Sequence, residues 1–280
     1  MNQSINGPRI INAVADRRWY DAATDTVHLS DGVTPSRTLT GFDGPRALML
    51  EEQRIGWNWD SVDPSRLSRP GWLGWYISRL RDQVLRELEA EGRPLTIIAD
   101  LEAVRLNDQD RAVRAERIIY TREILAAIRD VSGPACKVIA YDIPYQGQAD
   151  EDEEYLDLLM PAIHPHIDAI GCLLYLRNPK QEGVEAFMVQ HIQRCRRWAV
   201  GKPVEGIVWD GYIDTDCGPA SDGHWGEVWR AGRAGGISKY YLWDSNKGAA
   251  DLDRIQKRIT PIKAAMRKAW AQPAGNVAAA

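Results

Sequence analysis

Phenylalanine is nearly missing from this chain, with 2 Phe against 11 Trp and 10 Tyr. That scarcity excludes a core filled with plain aromatic rings and leaves flat rings carrying a polar handle, which suit wet grooves. Cysteine is sparse too. Cys136, Cys172, Cys195 and Cys217 lie far apart, without the paired spacing of zinc sites or small disulfide scaffolds. They read as free thiols in a reducing compartment. No stretch approaches the roughly 18 apolar residues of a membrane span. The start, Met1-Asn2-Gln3-Ser4-Ile5-Asn6-Gly7, has neither the basic residues nor the apolar run of a secretion signal. No membrane partner is expected, and the expected location is cytoplasmic or phage-associated. A formal net charge of -4 offers no basic surface, so nucleic acid is not an expected partner.

What is present is a repeated α/β unit. A length of 280 residues can bury one full core and is close to that of a single (β/α)-barrel. Ile77, Leu80, Val84 and Leu88 stand at helical spacing before the strand Leu95 to Asp100. Ala115, Ile118, Ile119, Leu125 and Ile128 mark a second helix, which stops at Ser132-Gly133-Pro134 and leads into Lys137 to Asp142. The unit recurs with Tyr155 to Ile163 before Ile167 to Ile170, Val184 to Ala199 before Val204 to Trp209, and Asp222 to Arg233 before Tyr240 to Trp243. A last helix runs from Leu252 to Trp270. In the front of the chain, Arg9 to Val14 and Arg46 to Leu50 look like strands, while Thr24 to Thr40 is rich in turn residues. The count is seven strands.

A doubly wound open sheet would carry a glycine-rich phosphate turn after its first strand, and Ala13-Val14-Ala15-Asp16 has none. The expected fold is therefore α/β, a TIM-type (β/α)8 barrel that is irregular in its N-terminal third. Residues 1–270 form one domain, and 271–280 form a flexible C-terminal tail.

The strands end in acidic or aromatic residues: Asp100-Leu101-Glu102, Tyr141-Asp142, Tyr175, Trp209-Asp210 and Trp243-Asp244. In a barrel these ends ring the face on which active sites are built. Asp100 and Glu102 are two apart on a strand, so their side chains point to the same side. Crowding two carboxyl groups raises the pKa of one member and keeps a proton available for a leaving group, as glycoside cleavage requires. The plain alternative has Asp100 capping the following loop and Glu102 pairing with Arg105.

Ile98-Ala99-Asp100-Leu101-Glu102-Ala103-Val104-Arg105 resembles the acidic strand of hyaluronidase-like glycoside hydrolases and, more loosely, of chitinase-like and lysozyme-like barrels. The similarity continues through Val138 to Pro144, Leu174-Tyr175, Lys202 to Trp209 with Tyr212, and Tyr241 to Trp243, covering about residues 95 to 245. The longer acidic run of the chitinase type is replaced by apolar Thr96-Ile97-Ile98-Ala99. The resemblance implies that Glu102 protonates the glycosidic oxygen while Asp100 orients an N-acetyl group that serves as internal nucleophile, with Tyr175 beside them in the catalytic group. It further implies that Tyr141, Tyr175 and Tyr212 hydrogen-bond the sugar and that Trp209 and Trp243 form its floor. Asp142, Tyr145, Asp210 and Asp244 complete the expected substrate-binding set.

Glu51-Glu52 follows the apolar run Ala47 to Leu50. Neighbours on a strand face opposite ways, so one of the two, Glu51 in the expected set, enters the site. Trp57, Trp59, Trp72 and Trp75 either extend a sugar-binding groove or pack the first helix, and core packing is the expectation for Trp75. His164-Pro165-His166 precedes a strand and so lies on the stability face, and Asp150 to Glu154 reads as a solvated helix start. The chain has only five His, none of them at a strand end, so no metal and no cofactor are expected. Two functions remain in view. One is hydrolysis of a polysaccharide containing N-acetylated sugars. The other is carbohydrate binding without turnover, in a virion or cell-surface assembly.

Overall fold

On each strand of a closed barrel, side chains alternate between the lumen and the surrounding helices, and both destinations are buried. Here the strands are buried almost continuously, and successive residues divide between two clusters. The computed structural model describes residues 9–12, 28–30, 46–51, 71–91, 95–101, 111–144, 153–209, 211–212, 220–243 and 252–271.

The elements run β1 (Arg9–Asn12), β2 (His28–Ser30), β3 (Arg46–Glu51), α1 (Trp72–Glu91), β4 (Thr96–Asp100), α2 (Arg111–Ser132), β5 (Lys137–Tyr141) and α3 (Glu153–Ile163). There follow β6 (Ala169–Leu173), α4 (Val184–Ala199), β7 (Val204–Trp209), α5 (Asp222–Ala234), β8 (Lys239–Trp243) and α6 (Leu252–Ala271). All eight strands are parallel and close in sequence order, with β1 paired to β8 from Arg9↔Lys239 to Asn12↔Leu242. The fold is a (β/α)8 barrel. The strand missing from the sequence count is β2, which occupies three residues inside the turn-rich segment, too few to display a period. Beyond Ala271, the expected tail lies outside the described residues.

Ile98, Ile139, Leu173 and Ile207 meet in the lumen together with Tyr141, Tyr175 and Tyr241. Their strand neighbours Ile97, Ala99, Val138, Ala140, Ile170, Cys172 and Val208 belong instead to the larger cluster between sheet and helices. Glycines sit where two strands approach closely. A Cβ at Gly171 would stand 2.7 Å from Ile207 Cδ1 in the lumen, and one at Gly206 would stand 2.6 Å from the Tyr240 ring on the outside.

The helices bury one stripe each. In α1 this is Tyr76, Leu80 and Val84, four residues apart, while Ile77 and Leu88 are only partly buried. Trp75 is the correction here. It is 42% exposed, with the Arg79 guanidinium 5.9 Å from its ring centroid, because its neighbour Tyr76 takes the inward position. In α2 the stripe is Thr121, Ile124, Leu125 and Ile128, and Ile119 faces out. Glu153 at the start of α3 accepts from Arg194 and Arg197 of α4, both at 3.0 Å, so it ties two helices together instead of being merely solvated.

The N-terminal face of the barrel is closed by polar ties. Arg129 near the end of α2 donates to Cys136 O at 2.9 Å and pairs with Asp168, which also accepts from Val138 N–H at 2.7 Å. His164 of the 3-10 turn His164–His166 lies 2.9 Å from Trp198 O, on the same stability face. Within the lumen, Glu205 pairs with Lys137 and accepts from Tyr241 Oη at 2.7 Å. Glu205 is buried, and Lys137 and Tyr241 satisfy its charge.

Two outcomes follow for stability. Gly206→Ala drives a methyl into the buried Tyr240 ring and should cost about 1–3 kcal/mol, measured as a lowered denaturant midpoint; an unchanged midpoint would mean that the ring yields freely. Lys137→Met strands the Glu205 carboxylate and should cost about 3 kcal/mol in the same assay.

Candidate active site at the C-terminal mouth of the barrel

Parity fixes what reaches the mouth. Ile98 lies in the lumen, so Asp100, two residues on and last in β4, shares its face, while Leu101 packs among the outer residues. By the same count Tyr141 ends β5 in the lumen and Trp209 ends β7 against the lumen cluster. Tyr175 is carried by an extension of β6. Leu174 N–H donates to Ile207 O at 2.8 Å, and Leu176 bridges Tyr212, so the alternation persists beyond Leu173.

These four side chains form a compact group. The Tyr141 and Tyr175 hydroxyls are 2.8 Å apart. Tyr175 meets Trp209 edge to face at 5.8 Å between ring centroids. Asp100 is 8% exposed, and its charge acts on Tyr141. Burial, reinforced by Tyr175, Asp100 and Asp142, pushes the Tyr141 phenol well above its ordinary range. Tyr141 is therefore a neutral hydrogen-bonding group and not a base. Among the described residues, no acceptor meets the buried Trp209 Nε1–H. A buried carboxylate, two linked phenols and an indole can together orient a polar ligand and stack against its apolar face.

Two further expected residues stand level with this group. Glu51 is in register with Asp100 on the neighbouring strand, and Trp243 is in register with Trp209. Asp142 follows the last residue of β5 and turns the chain there in a left-handed conformation, with φ +51°. It is buried, its N–H donates to Gly171 O at 3.0 Å, and its charge acts on Cys172 and His191 in the outer layer. Tyr212 is three residues beyond Trp209 and also packs outside the lumen. Its hydroxyl lies 2.8 Å from His224 Nδ1 and accepts from Ser221 N–H at 3.0 Å, which holds the start of α5. Glu102, Tyr145, Asp210 and Asp244 lie outside the described residues, as do Glu52, Trp57 and Trp59. The sequence reading did not anticipate the Lys137–Glu205–Tyr241 group. Its signal is a charged residue at or near the start of an otherwise apolar strand.

No family model matches the chain, and no curated protein does. Solved structures match its fold. A chitinase from Chromobacterium violaceum superposes with a TM-score of 0.54 at 11% identity, over 95% of this chain and 100% of its own. A glycoside hydrolase family 5 enzyme from Prevotella bryantii, solved with a xyloglucan tetradecasaccharide, gives 0.54 at 10% identity over 95% and 96%. The fold shared with these two enzymes is the (β/α)-barrel. Bee venom hyaluronidase aligns at 16% identity over 82% of this chain and 72% of its own, with a TM-score of 0.49, too loose to argue from. In this barrel the Asp100–Tyr141–Tyr175–Trp209 group occupies the face on which barrel enzymes place their chemistry. Among the described residues, no helix is long and apolar enough to cross a membrane.

The buried phenols set an alkaline limit. Burial pushes up Tyr141, Tyr240 and Tyr241, so the folded chain keeps three protons that the unfolded chain releases near pH 10. Their contribution to stability is full below about pH 10 and falls as pH rises beyond it. The urea midpoint should decline steadily above that pH, and Tyr141→Phe should flatten part of the decline. An equally steep decline in the variant would remove Tyr141 from the account.

Proposed function

We propose that this chain is a glycoside hydrolase acting on a polysaccharide that contains N-acetylated sugars. Glu102 is the general acid, and Asp100 orients the substrate acetamido group. The observation that carries the reading is the buried Asp100 carboxylate beside the Tyr141–Tyr175 hydroxyl pair and Trp209 at the barrel mouth.

Glu102, two residues beyond Asp100, protonates the glycosidic oxygen as the bond to the anomeric carbon breaks. The acetamido oxygen attacks that carbon from the other face, and Asp100 holds the acetamido N–H and offsets its developing positive charge. Water then opens the cyclic intermediate, with Glu102 taking its proton. Tyr175 and Tyr141 position the acetamido and neighbouring hydroxyl groups, and Trp209 and Trp243 supply the stacking floor. Glu51, in register with Asp100 on the adjacent strand, is a further substrate-binding carboxylate. The polysaccharide is the only partner this chemistry requires.

The test is reducing-end release from peptidoglycan, chitin, hyaluronan and capsular glycans, comparing wild type with Glu102→Gln and Tyr175→Phe. Glu102→Gln should abolish turnover while leaving folding and glycan binding intact, since the amide keeps the shape without the proton. Tyr175→Phe should lower turnover by roughly tenfold, the loss of one hydrogen bond worth about 1.4 kcal/mol in the transition state. Wild-type turnover in Glu102→Gln would remove that residue from the mechanism. Glycan binding with no release by wild type would instead support the second reading, a binding component of a virion or cell surface.

A further inference from the structure

Away from the barrel mouth, three side chains with soft or borderline donor atoms converge in the layer between β6 and α4. Cys172 faces outward on β6, like Ile170, and is fully buried. His191 and Cys195 are four apart on α4, which places both on one face of the helix, and that face is turned to the sheet. All three are buried, and their donor atoms lie within 4.8 Å of one another. The thiols are not bridged, and Cys195 Sγ lies 3.8 Å from His191 Nε2.

We propose that Cys172, His191 and Cys195 form a zinc-binding site that pins α4 to β6. Zinc bonded tetrahedrally to sulfur at about 2.3 Å and to nitrogen at about 2.0–2.1 Å holds an S···N pair about 3.6 Å apart. The Cys195–His191 separation already matches that edge to within a few tenths of an ångström. Two thiolates and a neutral imidazole cancel the charge of a divalent ion, so an interior layer can hold it without a net buried charge. Copper(I) on the same ligands would leave one negative charge, and calcium or magnesium would require oxygen donors.

A water molecule completes the tetrahedron. Binding forms two Zn–S bonds and one Zn–N bond and releases the two thiol protons to solvent. The site is independent of the proposed glycosidase chemistry.

The test uses the full chain, stripped with a chelator and reloaded with cobalt(II) or zinc(II) alone. We expect one cobalt per chain, with tetrahedral d–d bands and a thiolate-to-cobalt charge-transfer band that zinc abolishes by displacement. Zinc should also raise the thermal midpoint, and X-ray absorption at the zinc edge should show two sulfur neighbours. Cys172→Ala and Cys195→Ala, each removing one of the two thiolates, should weaken the charge-transfer band, while Cys136→Ala keeps it. Where a cluster variant does not fold, the zinc-edge sulfur count on the wild type decides. A wild type that binds no cobalt overturns the proposal, as does a zinc shell without sulfur or an undiminished band in the folded Cys195→Ala variant. A reduced chain that ignores cobalt but forms a Cys172–Cys195 disulfide on oxidation also overturns it.

Discussion

Closing eight parallel strands on themselves leaves every strand residue one of two destinations, lumen or helix layer, and both exclude water. The alternation of side chains along each strand assigns them, and the rest of the molecule follows from that assignment. Ile98 and Ile139 fill the lumen because Ile97 and Val138 fill the outer layer. Gly171 and Gly206 occur where neither destination has room for a methyl group. The closed ladder from β1 to β8 keeps this order around the ring.

Along its axis the lumen changes character in steps. Lys137, Glu205 and Tyr241 form a satisfied polar group toward the strand starts. Isoleucine and leucine occupy the middle, and Asp100, Tyr141, Tyr175 and Trp209 gather at the other end. The apolar middle separates two sets of charged groups that would otherwise perturb each other, leaving the mouth to act on what approaches it. Burial that makes Tyr141 a neutral hydrogen-bonding group also makes the Asp100 carboxylate strongly felt by its neighbours.

From residue 95 onward the units were legible because their helices and strands are long enough to show a period. β2 was not, since three residues among turn formers show none. At the site, strand-end position picked out Asp100, Tyr141, Tyr175 and Trp209. Asp142 and Tyr212 stand beyond their strand ends, where alternation no longer assigns a side, and Tyr212 packs in the outer layer beside Leu176. The buried stripe of α2 was harder to read, since Ile119 is apolar and yet faces outward. The Cys172–His191–Cys195 group left no linear signature because its donors come from a strand and a helix that meet only after folding.

Tyr141 and Asp142 are adjacent in the chain but serve opposite sides of the sheet, one facing the mouth and the other acting on the cysteine–histidine layer. Asp142 also raises the Tyr141 phenol, so a change at this one carboxylate is felt on both sides of the sheet.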